Sequence, residues 1–181
     1  MCIAIVESHA FSDKLNVRFK NSVQPLGGAI SAKHQVLSLV HAQGEWHGGR
    51  IRWGFPTVIQ GRKKWLRHAK VERRRSPFWK SWQPLLIPVQ AFIERNTLSG
   101  VSAFARFTAD TPFWIGGLWA KDDEEVASLV MLTQPADSTV SPFHHRMPVS
   151  MDFNGAQHWI DTGHVPDTSI LLQASPMDHF E

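Results

Sequence analysis

One cysteine, Cys2, and no tyrosine occur among the 181 residues. A single cysteine excludes a disulfide scaffold and the cysteine-rich zinc modules together. No run approaches the eighteen or so uninterrupted apolar residues of a membrane span, and no secretory leader precedes the first strand-like stretch. Internal repeats and low-complexity tracts are missing too. The expectation is a soluble cytoplasmic protein, in a compartment where a free thiol persists. Ten histidines are many, but neither HExxH nor a cysteine pair accompanies them, so no metal and no cofactor is expected.

What is present amounts to one domain of chain, with 43% hydrophobic and 19% charged residues, enough to bury a core. The net charge of +3 conceals an asymmetry. Between Arg50 and Lys80 there are eleven Lys or Arg and one acid, Glu72, which makes that segment +10 and the rest of the chain −7. A field of that sign attracts polyanions such as nucleic acid. The plainer reading of the same run is a solvated basic face.

Strand signals dominate. Cys2 to Val6 is apolar and β-rich, as in a strand buried on both faces. Gln35 to Val40, Arg50 to Phe55 and Ala127 to Thr133 read as further strands, and Leu85 to Ile93 as one whose Pro88 asks for an edge position or a bulge. Ala103 to Phe107 and Phe113 to Trp119 read as a strand pair about the turn Asp110-Thr111-Pro112. Helices are fewer: one opening at Ser76-Pro77 and running to Trp82, another over Asn154 to Ile160 beginning near Asp152. The pattern predicts an α+β domain with a mixed, mainly antiparallel, curved or barrel-like sheet and a few short helices. It would span residues 1–163, with 164–181 a loosely held tail.

Four features bear on chemistry. If Met1 is removed, Cys2 carries a free amine and a thiol on adjacent carbons, with ordinary pKa values of about 8 and about 8.5. The amine can condense with an aldehyde to a Schiff base, and the thiol can then close a five-membered thiazolidine ring. Taken alone, Cys2 reads rather as a small buried hydrophobe opening a strand. In Phe143-His144-His145-Arg146-Met147-Pro148, a histidine can move protons near neutrality and an arginine can clamp a phosphate. Glu94 ends an apolar strand, where partial desolvation would suit it to acid-base work; a surface pair with Arg95 is the duller alternative. Finally, Trp53-Gly54-Phe55-Pro56 and the stretch Arg62 to Arg75, with Trp65, Arg67, Lys70 and Arg73 in it, interleave rings and cations. A single-stranded nucleic-acid groove uses rings to stack on bases and cations to follow phosphates, so Trp53 and Trp65 are candidate stacking platforms.

In order along the chain these pieces resemble the SRAP family, the SOS-response-associated peptidases, understood as abasic-site cross-linking proteins. Met1-Cys2 and Trp53-Gly54-Phe55-Pro56 match its start and its WG-x-x-P region. His68-Ala69-Lys70-Val71-Glu72 falls where the family has N-A-R-x-E-T. Leu86-Ile87-Pro88 through Phe92-Ile93-Glu94 resembles C-L-I-P-A-x-G-F-Y-E-W. Gly116-Gly117-Leu118-Trp119 resembles A-G-L-W, Leu132-Thr133 with Pro135-Ala136 resembles the T-x-x-A strand end, and His144-His145-Arg146-Met147-Pro148 resembles H-D-R-M-P.

The resemblance implies a DNA-damage protein that senses abasic sites in single-stranded DNA and forms a covalent thiazolidine cross-link through Cys2. The implied activities are autopeptidase release of Met1 and a cross-linking or lyase-like reaction, in a cytoplasmic, nucleoid-associated setting. It assigns Cys2 as nucleophile, Glu94 as acid-base residue, and His144 as proton shuttle. Lys70 and Arg146 become phosphate contacts, with Trp53 near the DNA path and Arg67 and Arg73 in the same basic surface. His68 stands where the family has an asparagine holding the cysteine terminus; imidazole can still donate one hydrogen bond, yet it is larger and can take a charge. Ile3 and Ala4 replace a glycine and an arginine, Lys70 lacks the fork of the family's arginine, and His145 replaces an aspartate. These departures support an alternative: a non-covalent single-stranded DNA-binding module whose catalytic site has drifted. No membrane partner is implied, and no protein partner is indicated.

Overall fold

The computed structural model describes residues 2–8, 15, 17–19, 28–96, 103–167 and 170–177. The strands, in chain order, are β1 (Ala4–Glu7), β2 (Val17–Phe19), β3 (Ile30–Ser31), β4 (Gln35–Ala42), β5 (Glu45–Trp53), β6 (Phe55–Ile59) and β7 (Arg62–Leu66). There follow β8 (His68–Lys70), β9 (Gln83–Arg95), β10 (Phe104–Lys121), β11 (Ala127–Pro135), β12 (Arg146–Pro148), β13 (Ser150–Met151) and β14 (Gln173–Met177), with one α-helix, α1 (Phe153–Thr162), before the last. Twelve of these strands form one sheet, and β6 and β7 form a separate hairpin.

Among the described residues the pairings β2–β5, β5–β11 and β8–β11 are parallel and the others antiparallel. The sheet curls back on itself because β9 pairs with β1, β4 and β10. It does not close into a regular barrel, since β4 meets β9 at one residue pair, Leu39 with Leu86.

The period-two geometry of a strand, with both faces covered, explains why β9 is apolar from Leu85 to Val89 and again from Ala91 to Ile93, on either side of the exposed Gln90. Leu85, Ile87 and Val89 enter one core cluster with Ile5, Trp53, Phe107 and Met131, whereas Leu86 enters the other with Leu39, Leu118, Leu132 and Trp159. Both faces are covered, the second partly by α1, whose Trp159 indole donates to the Leu85 carbonyl at 3.1 Å. The helix has the ends expected of it: the Asp152 carboxylate accepts from the Gly155 N–H at 2.8 Å, and Gly163 closes it at φ 66°.

Three local expectations are corrected. Pro88 lies in the central strand β9 and faces Trp114 of β10, so the edge position does not hold. A bulge is present in the same run: Val6 and Glu7 of β1 face Ala91 and Val89, which leaves Gln90 of β9 as the extra residue, two positions past Pro88. Asp110-Thr111-Pro112 is an irregularity inside the single strand β10, not a turn between two strands, because Thr108 and Phe113 both pair with β9. Ser76-Pro77 opens only a turn, in which the Ser76 carbonyl accepts from Trp79 and Lys80; the helical hydrogen bonding nearby is a 3-10 turn over Val71–Arg73. Beyond Gly163, β14 pairs with Phe104–Thr108 of β10.

Candidate functional site

Cys2 sits just ahead of β1, whose entry is fixed by the Ile3 N–H donating to the Ile93 carbonyl at 2.9 Å. That pairing brings the chain start beside the end of β9 and so beside Glu94. Cys2 is 2% exposed, and its thiol donates to the Ala4 carbonyl at 3.2 Å. Burial, and after it the charge of Glu94, push the thiol pKa well above its ordinary value, so at neutral pH the sulfur keeps its proton. Glu94 has no exposed surface. Burial raises its carboxyl to about 7, against the pull of the positively charged amino terminus. A carboxyl of that kind exchanges protons near neutrality.

His68 reaches the same point from the other side. β8 runs parallel to β11 with His68 opposite Met131, and the Met131 N–H donates to the Arg67 carbonyl at 3.0 Å. The His68 ring hydrogen-bonds the backbone of Cys2, and burial, then Arg67 and the amino terminus, depress its pKa to about 3. It is therefore a neutral imidazole beside the cysteine residue.

His144 comes from the turn after β11, where Asp137 accepts from the N–H groups of Thr139 and Val140, each at 2.9 Å. Its Nδ1 lies 2.9 Å from the Arg146 N–H and 3.0 Å from the Arg146 carbonyl. The neutral ring can accept from the first and the protonated ring can donate to the second, so both states have a partner at one nitrogen. Burial and then the amino terminus lower its pKa, and its charge is felt at His68. His145 is exposed and stacks on it at 4.3 Å. Cys2, Glu94, His68 and His144 thus share one neighbourhood around Cys2.

A cavity of about 320 Å³ opens there, lined by Cys2, Ile3, Trp65, Leu66, Arg67 and His68. Trp65 is 39% exposed, with the Arg52 guanidinium 5.3 Å and the Lys33 ammonium 5.9 Å from its ring centre. It belongs to the β6–β7 hairpin, whose far end carries the exposed Arg62, Lys63 and Lys64. Arg67, Lys70 and Arg73 are exposed on the same stretch of chain.

Two residues stand elsewhere than the sequence reading put them. Trp53 is 0% exposed; its indole donates to the Arg67 carbonyl at 3.0 Å, so no ring face is open to a base. Arg146 has its guanidinium on Glu72, at 2.6 and 3.0 Å, and not turned outward for a phosphate. Sequence reasoning missed this use of Glu72, although its being the sole acid in a +10 segment was a signal.

The chain belongs to the SOS response associated peptidase (SRAP) family, whose profile matches residues 6–181. Cys2 lies just ahead of that match. Among solved structures it is similar to a protein from Bordetella bronchiseptica, at 19% identity and TM-score 0.75 over 98% of this chain and 99% of that one. A phage-related protein from the same organism is 18% identical, with TM-score 0.70 over 98% and 94%. A protein from Bacteroides thetaiotaomicron is 11% identical, with TM-score 0.76 over 97% and 92%. At these identities the likeness is one of fold. No curated protein matches the sequence. Among the described residues no helix is long and apolar enough to cross a membrane.

Proposed function

We propose that this SRAP-family protein, whose family ties it to the response to DNA damage, recognises abasic sites in single-stranded DNA and bonds to them through Cys2. The observation that carries the reading is the convergence of Cys2, Glu94, His68 and His144 on the chain start, beside a cavity bordered by Trp65 and Arg67. While Met1 is attached, the nitrogen of Cys2 is an amide and cannot condense. Hydrolysis of the Met1–Cys2 bond frees a primary amine, and that step is the peptidase activity.

The amine then attacks the aldehyde carbon of the ring-opened sugar and a water molecule leaves, giving an imine. The sulfur adds to the imine carbon and its proton ends on the nitrogen, closing a thiazolidine. Each step moves a proton. Glu94, poised near neutrality, and His144, with a backbone partner for either charge state, are the groups to carry it. His68 holds the Cys2 backbone in place. Arg67, Lys70 and Arg73 follow the phosphates, and Trp65 takes a base face.

Mature protein incubated with an abasic single-stranded oligonucleotide is expected to give a heat-resistant adduct on a denaturing gel. Cys2→Ala and protein retaining Met1 should give none, and an equal yield from Cys2→Ala overturns the mechanism. A second reading, a non-covalent single-stranded DNA-binding module, is favoured by the burial of the thiol and the engagement of Arg146. It predicts equal affinity for intact and abasic oligonucleotides, falling steeply with salt.

A further inference from the structure

Both segments that carry the site's histidines lean on β11. β8, with His68, pairs with Met131–Thr133, and β12, which begins at Arg146 just past His144, pairs with Thr133–Pro135. Thr133 touches both: its hydroxyl donates to the Ala69 carbonyl at 3.3 Å, and its carbonyl accepts from Arg146 Nη2. Beyond Lys70 the 3-10 turn presents Glu72, and there the bidentate ion pair with Arg146 spans the two segments.

A guanidinium has one end-on edge that suits a carboxylate or a phosphate in two-point fashion. In Arg146 that edge is filled by Glu72, a flank faces Thr133, and Nε is buried without a partner. The side chain is 11% exposed. A phosphate could take the end-on edge only by expelling Glu72. Meanwhile the backbone of Arg146 is what meets His144 Nδ1. Whatever fixes Arg146 therefore fixes the His144 ring.

We propose that Glu72 is a positioning residue: through Arg146 it fastens the His144 loop to the His68 strand and sets the two imidazoles in place about the Cys2 terminus. Arg146 is in this role a strut, not a phosphate clamp. The inference rests on the cross-linking reading, and it departs from the phosphate contact that the family resemblance assigns to Arg146.

The test uses mature full-length protein and three measurements. At saturating abasic oligonucleotide, Glu72→Ala is expected to slow adduct formation about tenfold, and the charge swap Glu72→Arg with Arg146→Glu to restore the rate to within about threefold. Binding of an intact oligonucleotide reports separately on phosphates: the slope of log K against log salt should be unchanged in Glu72→Ala. Faster adduct formation with a slope steeper by about one means that Glu72 merely occupies a phosphate site, and overturns the proposal. An unchanged rate overturns it as well. Absence of adduct from the wild-type protein defeats the cross-linking reading instead. The tie is then judged by the His144 ring signals in NMR spectra, which should shift in Glu72→Ala and return in the charge swap; signals that stay put in Glu72→Ala sink it. Glu72 is half exposed, so Glu72→Ala has no core to disrupt.

Discussion

The His68 imidazole meets the Trp53 indole edge-on, with 5.9 Å between ring centres and the planes at 90°. Trp53 is itself pinned by its bond to the Arg67 carbonyl, so a core tryptophan braces the imidazole beside Cys2. The brace comes with an acid sensitivity. His68 has a folded pKa of about 3 against an ordinary 6.5, so between those values the unfolded chain binds a proton that the native one refuses. Its contribution is complete above pH 6.5 and is lost as pH falls toward 3. His68→Asn should abolish that component, worth about 2–3 kcal/mol near pH 4.5. Urea unfolding of both proteins at pH 7 and pH 4.5 measures it; equal losses in the two exclude His68 as the source.

Glu94 works in the opposite sense. Its carboxyl titrates at about 7 when folded and near 4.5 when not, so the native state holds the extra proton in between. Stability is complete below pH 4.5 and declines as pH rises through 7. Replacing it by glutamine should stabilise the protein at pH 8.5 by up to about 3 kcal/mol and leave pH 4.5 nearly unaffected. Thermal unfolding at the two pH values reads this directly. The same variant should lose the limb of the adduct rate profile that turns near pH 7.

Gly54 joins β5 to the hairpin at φ 118°, a conformation that side chains rarely adopt, and a Cβ there would meet Trp65 Cε3 at 3.2 Å. Gly54→Ala should cost about 1–3 kcal/mol through backbone strain. It should also displace the indole from the cavity mouth. Weaker single-stranded DNA binding, beyond what the stability loss explains, is the expected result of a fluorescence titration; unaltered affinity would remove Trp65 from the DNA path.

Much of this architecture was open to reading because it is local. Asp152 and Gly163 bound α1 by their own side-chain and backbone chemistry, and the apolar residues from Leu85 to Ile93 announce the strand β9. What misled were signals whose meaning depends on distant neighbours. Asp110-Thr111-Pro112 is good turn chemistry, yet both flanks find the same partner strand. Ser76-Pro77 is a good helix start, but the aromatic side chains behind it, Phe78, Trp79 and Trp82, pack on one another and on Phe55. Cys2, Glu94, His68 and His144 were legible as residue types in family order. The grip of Glu72 on Arg146 was not, because the two lie far apart in sequence and are brought together only by β11.

The pairing of β1 with β9 sets an order of events during synthesis. On one side Ala4 and Ile5 can pair with Ser31 and Ile30 as soon as β3 is made, but on the other the partner of Ile3 and Ala4 is Ile93, which follows only after some ninety further residues. At the ribosome's usual pace that is on the order of 5–20 s. For this interval the sulfur and the first peptide bond are open to water, to oxidants and to any processing enzyme, and the thiol acquires its sheltered, proton-keeping character only when the late-made strand arrives.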